Sequence, residues 1–394
     1  MLDFTDIAEN PLLVRLILER RLQEAGSPAE QAVQHYLLWE VCQVCGDEPA
    51  ALRHLDAAMV LDPVQRSAKG TSERLRRLVV LNAPGSFQAN APVAMLFDDH
   101  TEIDTVWVSG HASARDMLVR TVRELCPDVV FIAIAEDERQ KVAIAQAEDV
   151  AAASGVPVLN GGGCISRVAR SGAPKLLAGI PGVLTPACVV AREPFADIPS
   201  FPVLIRPVTS HAGLGLRRIS DRAELEGYVK AAGADGTYYV TRFVDYVSDD
   251  GLYRKYRIVF VDGVAYPVHL AIHDDWAIWY YNAKMEDYPE RRAEEARFMQ
   301  DMAGYFPESV GLALSGVARA VGLDYFGLDF GILADGTLVV FEIETGMIVH
   351  DRDPADIFPY KSACIKRIRK AFEVMADRRV AAARRTEALS SSCL

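Results

Sequence analysis

The segment Asp329-Phe-Gly-Ile-Leu-Ala-Asp-Gly-Thr-Leu-Val-Val-Phe-Glu342-Ile-Glu344 carries the strongest chemical signal in the chain. Two apolar runs flank Asp335-Gly336, so the segment reads as a β-hairpin. Side chains alternate faces along a strand, which puts Glu342 and Glu344 on one side. The turn folds Asp329 back towards them. Three carboxylates converging there repel one another unless a cation sits between them, and hard oxygen donors suit Mg²⁺ or Mn²⁺. The alternative is a set of solvated charges on an edge strand. The apolar neighbours Val339, Val340, Phe341 and Ile343 argue against it.

Two further stretches could hold a nucleotide. In Leu204-Ile-Arg206-Pro-Val-Thr-Ser210-His211-Ala-Gly213-Leu-Gly215 a strand ends in a cation and runs into a small, glycine-bearing loop. Such a loop can turn backbone N–H groups towards a phosphate, although a plain hairpin turn would read the same way. In Tyr238-Tyr-Val-Thr-Arg242-Phe243-Val244-Asp245 an apolar strand leads into a short connection, where an adenine ring could stack and bond to exposed backbone.

The elements that must position these residues follow from periodicity. Residues 1–75 read as helical, with a 3.6-residue apolar period in Pro11–Arg21 and Ala32–Cys45. The stretch Asp47–Pro63 resembles the second helix of a tetratricopeptide repeat, and an ordinary helical cap reads equally well. Cys42 and Cys45 form a lone CxxC with no second ligand pair nearby, which reads as two helical cysteines on adjacent turns. From Leu75 to about 165, strands at Arg77–Leu81, Thr105–Val108, Val129–Ile134 and Gly155–Leu159 alternate with helix, the pattern of a parallel α/β sheet. From about 166 the strands Val203–Pro207, Tyr238–Val244, Tyr256–Val261 and Ala265–Ala271 indicate an antiparallel α+β region. It includes a hairpin turn at Asp262-Gly263, and the late hairpin's Asp335-Gly336 reads as a turn of the same kind. Helix Ser309–Val321 precedes that hairpin, and residues 379–394 read as a frayed tail.

The order of these features, more than any one of them, resembles the ATP-grasp superfamily. Residues from about 160 to 350 look like the glutathione synthetase and D-alanine–D-alanine ligase type. Leu176-Leu-Ala-Gly-Ile-Pro-Gly-Val-Leu-Thr-Pro-Ala is similar to the family's segment leading into the ATP-binding lobe. The implied architecture is an ATP-grasp domain over 166–378 with a hinge near 242–246, preceded by a small α/β domain over 76–165 and the helical segment 1–75.

The resemblance also implies roles. Arg206 and, more loosely, Lys175 would bind ATP phosphates. Ser210, His211, Gly213 and Gly215 would form the phosphate lid. Arg242, Phe243 and Val244 would hold adenine, with Asp245 or Asp249 on the ribose. Arg257 would stabilise the acyl phosphate and the tetrahedral intermediate, and Asp329, Glu342 and Glu344 would bind Mg²⁺. Two departures stand out. Arg206 replaces a lysine, which keeps the charge but changes reach and donor geometry. Glu344 replaces an asparagine, which adds negative charge beside the metal. Lys255, His269, His273, Asn282 and Lys284 fall on the acceptor side, with His350 and Asp351 just after the metal hairpin.

The expected activity is therefore an ATP- and Mg²⁺-dependent ligase joining a carboxylate to an amine through an acyl phosphate. A kinase on the same fold and a non-catalytic nucleotide-binding scaffold are the alternatives. With 394 residues the chain is too long for one core. Its net charge of −12 speaks against nucleic acid or an anionic membrane as main partner. Seven scattered cysteines and a start that does not read as a signal peptide give the expectation of a reducing cytoplasm. The N-terminal helices favour a protein or peptide contact, and a homodimer is compatible with them.

Overall fold

The computed structural model describes residues 10–66, 76–97, 101–208, 210, 213–232 and 236–392. Among the described residues three helices come first: α1 (Pro11–Glu24), α2 (Pro28–Val44) and α3 (Glu48–Leu61). Each begins on a side-chain cap, from Asn10, Ser27 and Asp47 in turn, with a proline in the first turn. Proline is harmless there because those N–H groups have no helical partner anyway. Tyr36, Trp39 and Cys42 of α2 close over Ala50, Ala51, Leu55 and Ala58 of α3 and over Trp107.

A short strand β1 (Val64–Arg66) follows, inside the stretch the sequence reads as wholly helical. Three residues show no periodicity of their own. β1 exists because the edge of β3 (Thr101–Trp107) offers it an antiparallel ladder. With β2 (Arg76–Asn82), α4 (Arg115–Glu124), β4 (Val129–Ile132), α5 (Lys141–Ala152) and β5 (Val158–Leu159) this makes a five-stranded sheet in the order β1-β3-β2-β4-β5. All neighbours except β1 run parallel.

The next residues form α6 (Ala173–Leu176), β6 (Val183–Leu184), β7 (Cys188–Ala191), β8 (Val203–Pro207), β9 (Arg217–Ile219), α7 (Arg222–Ala232) and β10 (Tyr238–Arg242). Then come β11 (Tyr253–Val261), β12 (Val264–His273), α8 (Pro289–Gln300), α9 (Met302–Tyr305), α10 (Glu308–Val321), β13 (Tyr325–Ile332), β14 (Leu338–Glu344) and α11 (Lys361–Ser392). They build two sheets, β7-β10-β8-β9 and β12-β11-β13-β14-β6.

The two hairpin turns, alike by sequence, differ in the structure. Asp262 and Gly263 both take positive φ, 50° and 78°, as a two-residue type I′ turn requires. In the late hairpin only Gly336 does, at 85°. There the Gly336 N–H donates to the Leu333 carbonyl at 2.8 Å, and the Leu333 N–H to the Thr337 carbonyl at 2.9 Å. That is a longer loop closed by a left-handed glycine.

The chain divides into two compact units. One holds residues up to 135, 140–163 and those from Phe372 on; the other holds 136–139 and 164–371. The helical segment and the parallel sheet therefore share a unit. Residues 379–392, a frayed tail by sequence, continue α11. Phe372 is fully buried in the first unit, with Phe97 and Phe131 edge-on at 5.4 and 6.0 Å. Phe372→Ala is expected to cost that unit about 3–5 kcal/mol, read as earlier hydrogen exchange of β2 and β4 amides in urea. Unchanged exchange would remove Phe372 from this core.

Candidate active site

The site lies in the second unit, where its two sheets present charged strand residues. Asp329 of β13 is fully buried and faces Arg257 of β11 across the ladder. Arg257 grips it in two parallel bonds, Nε–Oδ1 at 2.7 Å and NH2–Oδ2 at 2.8 Å. Lys255, on the same face of β11 two residues earlier, adds a 2.7 Å ion pair to Oδ2. Burial opposes ionisation of Asp329, but the two cations outweigh it and hold the carboxyl far below the usual carboxylate range. For Arg257 too, burial is outweighed by Asp329, which raises the guanidinium above its ordinary value.

A bulge shapes the other side of this ladder. Asp329 pairs with Glu342 but Phe330 pairs with Val340, so Phe341 is an extra residue in β14. The bulge re-aims the end of β14. Glu342 meets Arg170, a loop residue between Val168 and α6 whose guanidinium donates to its Oε2. Burial works against Glu342, yet Arg170 outweighs it and keeps it ionised below the ordinary range. Glu344 has no such cation. Its Oε1 accepts the Gly346 N–H at 2.8 Å, and burial, then the Glu342 charge, push its carboxyl up to about 7.

Arg206 is the third cation. It is buried at the end of β8, donates to the Ser210 hydroxyl at 3.2 Å and also to the Ser210 carbonyl. Burial, then the Arg170 charge, lower its guanidinium to about 10, so it stays protonated at neutral pH. The two guanidiniums repel one another, and of the two only Arg170 bonds a carboxylate among the described residues. An anion would relieve that repulsion.

The other expected residues are placed as follows. Gly213 and Gly215 take positive φ in a turn closed by the Leu216 N–H on the Gly213 carbonyl, and Tyr228 anchors it by donating to Gly215 at 2.7 Å. His211 lies outside the described residues. In the hinge, the Arg242 and Phe243 N–H groups donate to Ala187 and Pro202. The Val244 N–H and carbonyl meet no partner among the described residues. The Phe243 ring is covered by the Arg218 guanidinium at 4.2 Å and edge-on by Trp276 at 5.6 Å, so it is not an open face for adenine. Asp245 accepts from the Tyr253 hydroxyl at 3.0 Å, and Asp249 is exposed.

Lys175 is exposed on α6, and its ammonium has no partner among the described residues. Asn282 is used structurally, closing a turn between Trp279 N–H (3.0 Å) and Ala277 carbonyl (2.8 Å). Lys284 is exposed and sits in the left-handed region at φ 46°, joining two 3₁₀ turns. His273 accepts the Asp275 N–H at 2.9 Å, and His350 accepts the Arg352 N–H at 3.3 Å. Asp351 pairs with Arg369 at 3.1 Å. His269 faces Arg257 across β11 and β12.

Sequence reasoning missed Arg170, although Arg167-Val-Ala-Arg170-Ser-Gly-Ala-Pro-Lys175 shows it one turn before the chosen lysine. It also missed a buried group around Lys361, the first residue of α11. Its Nζ lies 2.8 Å from Asp353 Oδ2 and 3.5 Å from Glu295 Oε1, over the rings of Tyr280 and Phe358.

Among the described residues no three His, Cys, Asp or Glu side chains converge enough to hold an ion by themselves. Both oxygens of Asp329 are taken by Arg257 and Lys255. Glu342 and Glu344 fit a hard divalent cation, because their mutual repulsion is what raises Glu344 beyond the effect of burial. A carboxyl raised on folding stabilises the fold while protonated. That contribution is full below about pH 4 and is lost as pH rises to about 7, roughly 2 kcal/mol for a half-buried group. In chelator-treated buffer the melting temperature should fall over this range, and Glu344→Gln should flatten the fall. Added Mg²⁺ should oppose it. Parallel curves for the two proteins would refute the assignment.

No protein-family profile matches the sequence, and no curated protein is similar to it. Solved structures are. The fold is similar to that of D-alanine–D-alanine ligases. The Bacillus anthracis enzyme complexed with ATP aligns over 79% of this chain and 99% of its own, at 13% identity and a TM-score of 0.45. An L-amino acid ligase from Bacillus licheniformis aligns over 69% of this chain and 67% of its own, at 16% identity and a TM-score of 0.41. A RimK domain ATP-grasp protein from Sphaerobacter thermophilus covers 77% and 99%, at 14% identity and a TM-score of 0.45.

Proposed function

We propose that this chain is an ATP-grasp ligase that phosphorylates a carboxylate and couples it to an amine. The observation that carries this reading is the pairing of two charged clusters in one unit. Arg170 and Arg206 disfavour one another, and beside them Glu342 and Glu344 disfavour one another. A triphosphate with a divalent cation complements both at once.

In this reading Arg170 and Arg206 bind the β- and γ-phosphates, and the unpaired backbone of Val244 bonds the adenine edge. Glu342 and Glu344 hold Mg²⁺, which neutralises charge on the phosphates when bound. Arg257 lies beside the carboxylates and faces the developing oxyanion; Asp329 keeps it ionised and fixes its plane. Lys255, on the same strand face, balances the remaining charge. The chain's work is positioning and charge stabilisation.

The test is ADP release from a panel of amino acids and small carboxylates, with mass detection of product. ADP that requires both a carboxylate and an amine, with an amide as product, supports the ligase. Phosphate retained on a hydroxyl product would replace it with a kinase, and absent turnover across the panel would sink both.

A further inference from the structure

His269 differs from the other described histidines of this unit. It lies on β12 directly opposite Arg257 on β11. Its ring stacks on Tyr280, with centroids 4.5 Å apart and planes at 26°. His273 and His350 each accept a backbone N–H. Neither ring nitrogen of His269 has a hydrogen-bond partner among the described residues. A half-buried imidazole held flat by an aromatic ring, with open nitrogens next to an arginine, is oriented but unused.

Building on the ligase reading, we propose that His269 is the base that takes the proton released by the attacking amine. The amine nitrogen forms the new bond to the acyl carbon, and the carbon–oxygen bond to phosphate breaks with its electron pair leaving on phosphate. Before attack the acceptor's ammonium gives one proton to an open ring nitrogen of His269, which frees the lone pair, and solvent carries that proton away; the second proton that nitrogen sheds on forming the amide leaves on the departing phosphate.

The surroundings support this. The charged groups facing the ring are Arg257 and Lys255 from β11, Asp329 from β13 and Lys361 from α11. Tyr280 carries the stack, and its hydroxyl is held by Lys361. Burial first, then Arg257 and Lys361, hold the imidazole well below its ordinary value, so it is neutral and able to accept at neutral pH. An anionic acyl phosphate on Arg257 offsets that cation and raises the ring's proton affinity at the step that needs it.

The experiment compares two acceptors, with the twenty L-amino acids pooled as carboxylate donors. One acceptor is hydroxylamine, largely unprotonated at neutral pH; the other is the amino acids' own ammonium group. His269→Phe keeps the stack on Tyr280 and removes the base. Coupling to the amino-acid amine should fall by about 100-fold or more, and hydroxamate formation by less than about 10-fold. The remaining amine coupling should climb with pH as free amine accumulates. Equal losses for both acceptors, or no loss for either, would overturn the proposal. A wild-type protein that forms no hydroxamate and releases no ADP would instead overturn the ligase reading on which it rests. Imidazole NMR gives a check without turnover: a His269 ring already charged at about pH 7 in the free protein cannot be this base.

Discussion

Asp329→Asn is expected to lower the unfolding free energy by about 3–5 kcal/mol. Asp329 is fully buried and is the shared counter-ion of Arg257 and Lys255. The neutral amide keeps the volume but leaves two cations desolvated and uncompensated, which removing one partner of a buried pair always risks. Lys255→Met should cost much less, because Arg257 still bonds both carboxylate oxygens. The pH dependence has a definite sign. Folding depresses this carboxyl, so its contribution is present above the unfolded-state value near pH 4 and is lost as pH falls below it. Urea titrations of wild type and variant should therefore differ by about 1 kcal/mol less at pH 3 than at pH 7. A difference under about 1 kcal/mol at pH 7 would show that the pair is better hydrated than its burial implies.

Arg170→Met is expected to weaken ATP binding by about 10- to 100-fold, the equivalent of one charge-assisted bond of roughly 1.5–3 kcal/mol. Arg206→Met should do the same. The double variant should lose less than the product, because each guanidinium disfavours the other in the empty protein and removing one relieves its neighbour. Arg170→Met also strands Glu342, whose partner it is. Measuring the variant again in a Glu342→Gln background separates the lost phosphate contact from the stranded carboxylate. Arg170→Lys should recover only part of the affinity, since an ammonium cannot reproduce the guanidinium fork. Isothermal titration with ATP and Mg²⁺ reads all of these. An Arg170→Met protein that binds ATP like wild type would remove Arg170 from the site.

The acidic hairpin was legible because its information is local. Alternation along β14 places Glu342 and Glu344 on one side, and the turn returns Asp329 to Glu342, whatever else the chain does. The parallel sheet showed through strand and helix periods for the same reason. Two features of that hairpin were not visible. The Phe341 bulge depends on how β14 registers against β13. The turn at Asp335-Gly336 depends on a hydrogen bond from Leu333 to Thr337 that no dipeptide rule contains.

By itself, then, the sequence determined the alternation of strand and helix, the hairpin's carboxylates, and the cation that ends β8. These rest on interactions within about ten residues, where backbone period and side-chain direction leave little freedom. Only the tertiary structure decided which charges meet. Arg170 reaches Glu342 across 172 positions, Arg257 reaches Asp329 across 72, and Lys361 reaches Tyr280 across 81. It also decided that Lys175 faces solvent, that Asn282 closes a turn, and that Arg218 covers Phe243. Burial sets the strength of a charge, and burial is a property of the folded neighbours and not of the residue's own segment.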